Sequence, residues 1–517
     1  MIKKYSYLSI LFKSPIFYIA LITSIFFSYI IIFANVTGDW RHFIDSELVW
    51  PYNVLLILSE KQIDFSAYGF FYFIIELKFF QILDLIGYLK TTSIEELNNS
   101  QNFSENLENI VFAGRWFNIT IIYLAILIAY LIFNNLIKNS KLAFLLVLIF
   151  MITPGMIQQI SYARVDILSS TLFFISYFFL IKFTEKKNSI FFILFIIFFF
   201  LSVFTKVQSY LFLFALLISS SYFLDYKNNI LKDKKIDFWI KILFLIFILY
   251  CLFYPLIFHR HAKFSIIFLY SQLAMLSTYL YFVFKDYKSI FDKNIIYISY
   301  TFILILIFIL IINNLSYMYL HAARLTFFEP MEIRMYLSTD GGLKGADVIT
   351  LDIKKNLIYF INLFKTLFNN IEYVLISTIT KFNSNTLLIS LNIIIVFYYY
   401  FFKKIKKDIF LLFPTLCFFL INSINQMRGQ PIQLYLTFSE FFLFIPICVY
   451  LKKANLKIRK FITIYLVLTL TLPPIVNSHE YNQKRFIKNN NINIWCPDFL
   501  YDYTREISQN QIKKVCN

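Results

Sequence analysis

The residues best suited to chemistry fall in four short clusters, each at the mouth of a long apolar run. The first is Gly38-Asp39-Trp40-Arg41-His42-Phe43-Ile44-Asp45-Ser46-Glu47, with three carboxylates, an arginine and a histidine. Ionised carboxylates at a water boundary can accept a hydroxyl proton or hold a divalent cation, since both tasks need oxygen acceptors. Asp39, Asp45 and Glu47 are therefore the candidate bases, and Arg41 and His42 candidate substrate contacts; solvated loop residues are the plain alternative. The second cluster, Ser161-Tyr162-Ala163-Arg164-Val165-Asp166, opens an apolar run. Arg164 either snorkels to headgroups or binds substrate, and Asp166 either favours the positive end of a helix or orients a ligand. The third, Thr205-Lys206-Val207-Gln208, squeezes a lysine into a tight turn, where it anchors the interface or binds phosphate as a point charge. In the fourth, Asn425-Gln426-Met427-Arg428-Gly429-Gln430-Pro431, Arg428 can fork onto phosphate oxygens or sit at the rim, and the run that follows contains Glu440.

Other signals are weaker. His259-Arg260-His261 lacks the cysteine or acid partners of a zinc site. No phosphate-binding glycine loop, no Gly-x-Ser-x-Gly and no Cys-x-x-Cys occurs. Arg324, Glu329, Glu332 and Arg334 around Pro330 form either an ordinary loop or a lid over a substrate.

The elements that position these clusters follow from composition. Of 517 residues 59% are hydrophobic and only 15% charged, and Phe 65, Tyr 37 and Trp 5 exceed what any soluble core requires. Apolar runs near 20 residues recur, the length that crosses a hydrocarbon layer about 30 Å thick. The expected fold is an all-α polytopic membrane protein with about thirteen transmembrane helices, at residues 15–36, 112–133, 142–157, 166–182, 189–204, 207–224, 241–258, 264–284, 295–313, 384–402, 409–424, 431–451 and 461–477.

The net charge of +18 is spread in short clusters between these runs, which suits anionic headgroups and argues against nucleic acid as a partner. Basic residues in short loops stay on the cytoplasmic side. With the N-terminus inside, 25 Lys and Arg fall in cytoplasmic segments against five (Arg164, Lys206, Arg260, Lys263, Arg428) near external turns. Residues 37–111, residues 314–383 and a tail from 478 then lie outside, so the chain reads as a transmembrane domain, 1–477, with a short external tail, 478–517. The first external loop has eleven acids against four bases, a charge of −7. Its stretches Val49–Leu58 and Phe70–Leu89 suit helices lying in the membrane interface. Cys496 and Cys516 share the external tail, an oxidising space in which they are able to pair.

This topology brings all four clusters to one face. Carboxylates, arginines and a lysine beside apolar walls are what a lipid phosphate needs, because its tail requires hydrocarbon and its phosphate requires cations.

The order of features resembles the GT-C superfamily of integral-membrane glycosyltransferases, in particular the branch with the protein mannosyltransferases, the aminoarabinose transferase of lipid A and the Rgt-type lipopolysaccharide glycosyltransferases. In that family an acidic motif follows the first span, an Ala-Arg pair opens the second, a proline closes the third, Arg-x-Asp opens the fourth, and Thr-Lys lies between later spans. The counterparts are Asp39 to Glu47, Ala113-Gly114-Arg115, Thr153-Pro154-Gly155, Tyr162-Ala163-Arg164-Val165-Asp166 and Thr205-Lys206. Ser66-Ala67-Tyr68-Gly69-Phe70-Phe71-Tyr72 falls where many members carry a Pro or Tyr-Gly element. The likeness covers roughly the first 225 residues; the later half is similar only in hydropathy. The usual Asp-Glu pair is absent, leaving Asp39 and the Asp45-Ser46-Glu47 group as alternatives for the base.

The resemblance implies an inverting glycosyltransferase of a bacterial inner membrane, using a polyprenyl-phosphate sugar donor and a glycan, lipid or protein acceptor on the periplasmic face. It adds Tyr68 and Arg115 to the candidate substrate contacts Arg41, His42, Arg164, Asp166, Lys206 and Arg428. A lipid-linked oligosaccharide flippase or other transporter is a rival, but would be expected to bury charges in mid-span and to show internal symmetry. A polysaccharide polymerase or ligase is another, though its main external loop usually comes later in the chain.

Overall fold

The computed structural model describes residues 14–33, 48–61, 70–161, 166–186, 188–205, parts of 365–422, 436–476 and 506–516. Every regular element among these is a helix. Five are long and apolar enough to cross a membrane: α1 (Pro15–Phe33), α5 (Phe103–Ile137), α8 (Asp166–Lys186), α10 (Ser384–Phe401) and α12 (Leu456–Val476). With α9 (Ser189–Thr205) and α11 (Leu436–Lys453) they make an all-α, multi-pass membrane protein. The spans expected at 207–224, 241–258, 264–284 and 295–313 lie outside the described residues, and 409–424 is described only in pieces.

The run expected to form one span at 142–157 is divided. Helix α6 (Ser140–Met151) stops after 12 residues, about 18 Å, and α7 (Pro154–Ser161) begins two residues on. The break lies where Pro154 disfavours helical backbone at Thr153 and supplies no N–H of its own. Thr153 Oγ1 closes the end of α6 by donating to the Phe150 carbonyl at 2.8 Å.

Between α1 and α5 lie α2 (Val49–Leu58), α3 (Phe70–Leu85) and the short α4 (Ile94–Asn99), whose start is fixed by a reciprocal Ser93–Glu96 cap. Helix α2 does not lie on a surface, because its residues Val49 to Leu56 are all buried. Helix α3 is two-faced: Tyr72, Phe73, Glu76 and Phe80, at helical spacing, point inward, while Ile82, Leu85 and Ile86 are exposed. That outward apolar edge suits the interfacial position expected of it.

Helices α8 and α9 form a close hairpin. Ser169 Oγ donates to the Ser202 carbonyl at 2.9 Å and Ser202 Oγ to the Ser169 carbonyl at 2.7 Å, and Ser176 Oγ reaches the Phe195 carbonyl at 3.1 Å. Small hydroxyl side chains let helix backbones approach, and within hydrocarbon they also satisfy their own polar atoms. Helix α11 forms the interior of the bundle, with every residue from Phe441 to Leu451 buried. Phe441 stacks on Phe174 at 4.3 Å, and Phe444 on Phe133 at 5.2 Å, locking α11 to α8 and α5. Exposed apolar residues occur on α1 (Ile16, Ile31, Ile32), α10 (Ile394, Phe397, Phe401) and α12 (Phe461, Ile464, Ile475), as suits helices that face lipid.

The end of the chain returns to the segment that follows α1. Lys61 Nζ pairs with Glu506 at 2.9 Å, and the Glu506 amide donates to the Tyr52 hydroxyl at 3.0 Å. The Ser508 amide donates to Asn98 Oδ1 at 2.9 Å. Ile507 and Ile512 are buried, the latter on the closing helix α13 (Gln509–Cys516). The C-terminal segment therefore packs directly on the α2–α4 segment.

Candidate functional site

Two residues singled out from the sequence, Arg115 and Asp166, lie in the described core, each 1% exposed. Their helices run parallel. Thr171 Oγ1 donates to the Ile121 carbonyl at 3.4 Å, Lys182 Nζ to Asn135 Oδ1 at 2.9 Å, and Lys138 Nζ to Glu185 Oε1 at 2.9 Å. Arg115 is six residues before Ile121 and Asp166 five before Thr171, so at about 1.5 Å per residue they differ in height by about one residue. Both lie at the same end of the bundle, Asp166 as the first residue of α8. The Arg115 guanidinium also sits over the Phe112 ring, 5.5 Å from its centroid.

Helix α3 adds two polar groups at this end. Glu76 packs against Gly114: a Cβ built on Gly114 would be 3.4 Å from Glu76 Oε1 and 3.5 Å from Pro51 Cγ. Tyr72, one turn earlier, lies close to Glu76 and feels the charge of Asp166. Glu76 and Tyr72 are fully buried, the Tyr72 hydroxyl interacts with the Glu76 carboxyl, and beyond this pair neither the two carboxyl oxygens nor the phenol oxygen has a hydrogen-bond partner. Burial pushes the Glu76 carboxyl well above the usual carboxylate range, the nearby Tyr72 hydroxyl offsetting part of this. Burial, then the Glu76 carboxyl, then Asp166 push the Tyr72 phenol well above its ordinary value. Three polar atoms so sparsely partnered in one place are expensive, an unsatisfied one costing about 1–3 kcal/mol. Around Tyr72 stand the rings of Trp50 at 6.3 Å and Phe117 at 5.5 Å.

Helix α7 links this end to a second polar centre. Near its C-terminus the Gln159 carbonyl accepts from Asn118 Nδ2 at 3.0 Å; at its N-terminus the Gly155 amide donates to Glu440 Oε1 at 2.9 Å. Asn385 Nδ2 donates to the same oxygen at 2.6 Å. Glu440 thus occupies the positive end of α7 and ties α7, α10 and α11 together. Its role here is structural.

Nine other candidates, Asp39, Arg41, His42, Asp45, Glu47, Tyr68, Arg164, Lys206 and Arg428, lie outside the described residues, as does Cys496, the proposed partner of Cys516. Among the described residues no group of three or more His, Cys, Asp or Glu is placed to hold a metal ion. The first-loop carboxylates that would hold a divalent cation are not among them.

Sequence reasoning passed over Glu76 within the apolar stretch Phe70–Leu89 and read Tyr72 only as part of the Ser66 to Tyr72 element. The available signal was their spacing, since Tyr and Glu four residues apart share one helix face. Comparison with known proteins found no matching family model, no matching curated protein and no matching solved structure.

Proposed function

We propose that the protein is a membrane glycosyltransferase of the GT-C type, moving a sugar from a polyprenyl-phosphate donor to an acceptor hydroxyl on the side that carries the α2–α4 segment. The observation that carries this reading is the common height of Arg115 and Asp166, 51 positions apart in the chain, on packed parallel helices at the end of the bundle that holds Tyr72 and Glu76. A buried arginine at the end of apolar helices suits a ligand with an anionic head and a hydrocarbon tail. The packing of the C-terminal segment on α2–α4 fits the even number of crossings expected between them; the cytoplasmic N-terminus and periplasmic tail of a bacterial inner-membrane protein rest on the distribution of Lys and Arg.

In the proposed reaction a first-loop carboxylate, from Asp39, Asp45 or Glu47, takes the proton of the acceptor hydroxyl. The hydroxyl oxygen forms a bond to the anomeric carbon from the face opposite the donor phosphate, and the bond between that carbon and the phosphate oxygen breaks, inverting the centre. The lipid phosphate leaves with the bonding electrons, its charge met by cations drawn from Arg164, Lys206 and Arg428. Arg41, His42 and Tyr68 complete the contacts on the loop side, with Arg115 and Asp166 below them. Phosphate is a good leaving group, so no separate acid is needed.

Lys206→Ala tests the assignment of the donor phosphate. Purified protein should bind a polyprenyl phosphate more tightly than the corresponding polyprenol, and the variant should lose about tenfold or more of that preference, the scale of a charge-assisted hydrogen bond. Wild-type discrimination in the variant would return Lys206 to the role of interface anchor.

A further inference from the structure

We propose that Tyr72 and Glu76 recognise the sugar of the donor, holding two neighbouring hydroxyls through the carboxyl and the phenol. The proposal rests on the glycosyltransferase reading and names the part of the substrate that this pair contacts. It starts from three polar atoms, Glu76 Oε1, Glu76 Oε2 and Tyr72 Oη, that find no partner beyond this pair of residues, gathered on one face of α3 and fully enclosed. Folding alone gains nothing from such a group, whereas a ligand able to satisfy it does.

The chemistry of that ligand follows from the atoms. A carboxyl offers two oxygens side by side, one of them a donor when burial keeps the group protonated, and a phenol both donates and accepts. Adjacent hydroxyls of a pyranose present the complement, since each is both a donor and an acceptor. A divalent cation fits poorly, because it requires six or more oxygen ligands and no cluster of three acids or imidazoles surrounds Glu76 among the described residues. The rings of Trp50 and Phe117 beside Tyr72 supply the flat apolar wall on which the C–H face of a sugar rests. Gly114, with no side chain of its own, lets α5 come close to the carboxyl.

Position agrees with chemistry. The pair lies at the end of the bundle where Arg115 and Asp166 sit level, one turn beyond the start of α3. Because both groups are enclosed, a sugar reaches them only as neighbouring side chains shift. Water is then excluded from the anomeric centre, and correct sugars are selected by whether they can satisfy the pair. A site built to hydrogen-bond a hydroxyl rejects a ligand that lacks it, since its own polar groups are then left unpaired.

The test compares the affinity of full-length protein in detergent for bare polyprenyl phosphate with its affinity for polyprenyl-phosphate-linked glucose, galactose, mannose and N-acetylglucosamine. Wild type is expected to bind at least one sugar-bearing lipid about tenfold or more tightly than the bare lipid. Glu76→Gln and Tyr72→Phe should each remove most of that increment while leaving the bare-lipid affinity unchanged. An increment that persists in both variants overturns the proposal, as does equal wild-type affinity for all five lipids. Loss of bare-lipid affinity in both variants also overturns it, assigning the pair to the fold. Failure of wild type to bind bare polyprenyl phosphate would instead strike the glycosyltransferase reading on which the proposal stands.

Discussion

Of the variants Asp39→Asn, Asp45→Asn and Glu47→Gln, made singly, one is expected to lose sugar transfer by about a hundredfold to ten-thousandfold, the usual loss when a general base is removed. The amide keeps the shape of the side chain and abolishes only its ability to take a proton. Asp39 is placed first because it is nearest the end of the first apolar run and heads the Asp-Trp-Arg-His-Phe sequence, with Asp45 and Glu47 close behind. Arg41 nearby favours an ionised carboxylate, and a site beside apolar helices keeps bulk water from competing for the sugar. Rates are to be compared in membranes at matched protein levels. Wild-type transfer by all three variants would remove the first step of the mechanism.

Glu440→Ala is expected to be the most damaging change to the fold. It strips the acceptor from the Gly155 amide and from the Asn385 amide, both buried, and each orphaned donor costs about 1–3 kcal/mol, with a further term for the cavity left in α11. A total near 3–6 kcal/mol is comparable with the whole stability of many domains. Glu440→Gln should behave quite differently, because it retains an oxygen for the same two donors and its amide can turn to Asn385 Oδ1, which has no partner. Thermal unfolding in detergent, followed by loss of monodisperse protein, distinguishes the two. Equal midpoints for Glu440→Ala and wild type would contradict the role of Glu440 in joining α7, α10 and α11.

Much of the helical architecture was legible in the sequence because hydrocarbon thickness dictates the length of an apolar run. The expected spans at 166–182 and 189–204 differ from the ends of α8 and α9 by a few residues at most. The division of α6 from α7 was signalled only by Pro154-Gly155, and hydropathy summed across it could not show a break. The enclosure of helix α2 by the rest of the protein was not legible, because its apolar sequence fits either a membrane surface or a protein interior. Arg115 and Asp166 were found by motif, yet their common height depends on a register between α5 and α8 that only tertiary contacts reveal. Glu76 was overlooked for a related reason: an acid in an apolar stretch reads as the edge of an interfacial helix until its neighbours are known, and here they leave it enclosed.

The central claim is a reaction, and it is tested most directly by reconstituting the purified protein in liposomes with a radiolabelled sugar carried on polyprenyl phosphate and a membrane extract as the source of acceptor. The account predicts label on an acceptor, release of one polyprenyl phosphate for each sugar transferred, and no transfer when the same sugar is offered only as a nucleotide diphosphate. Consumption of the nucleotide sugar with the lipid-linked donor untouched, or movement of the intact lipid-linked sugar across the bilayer without its cleavage, would contradict it.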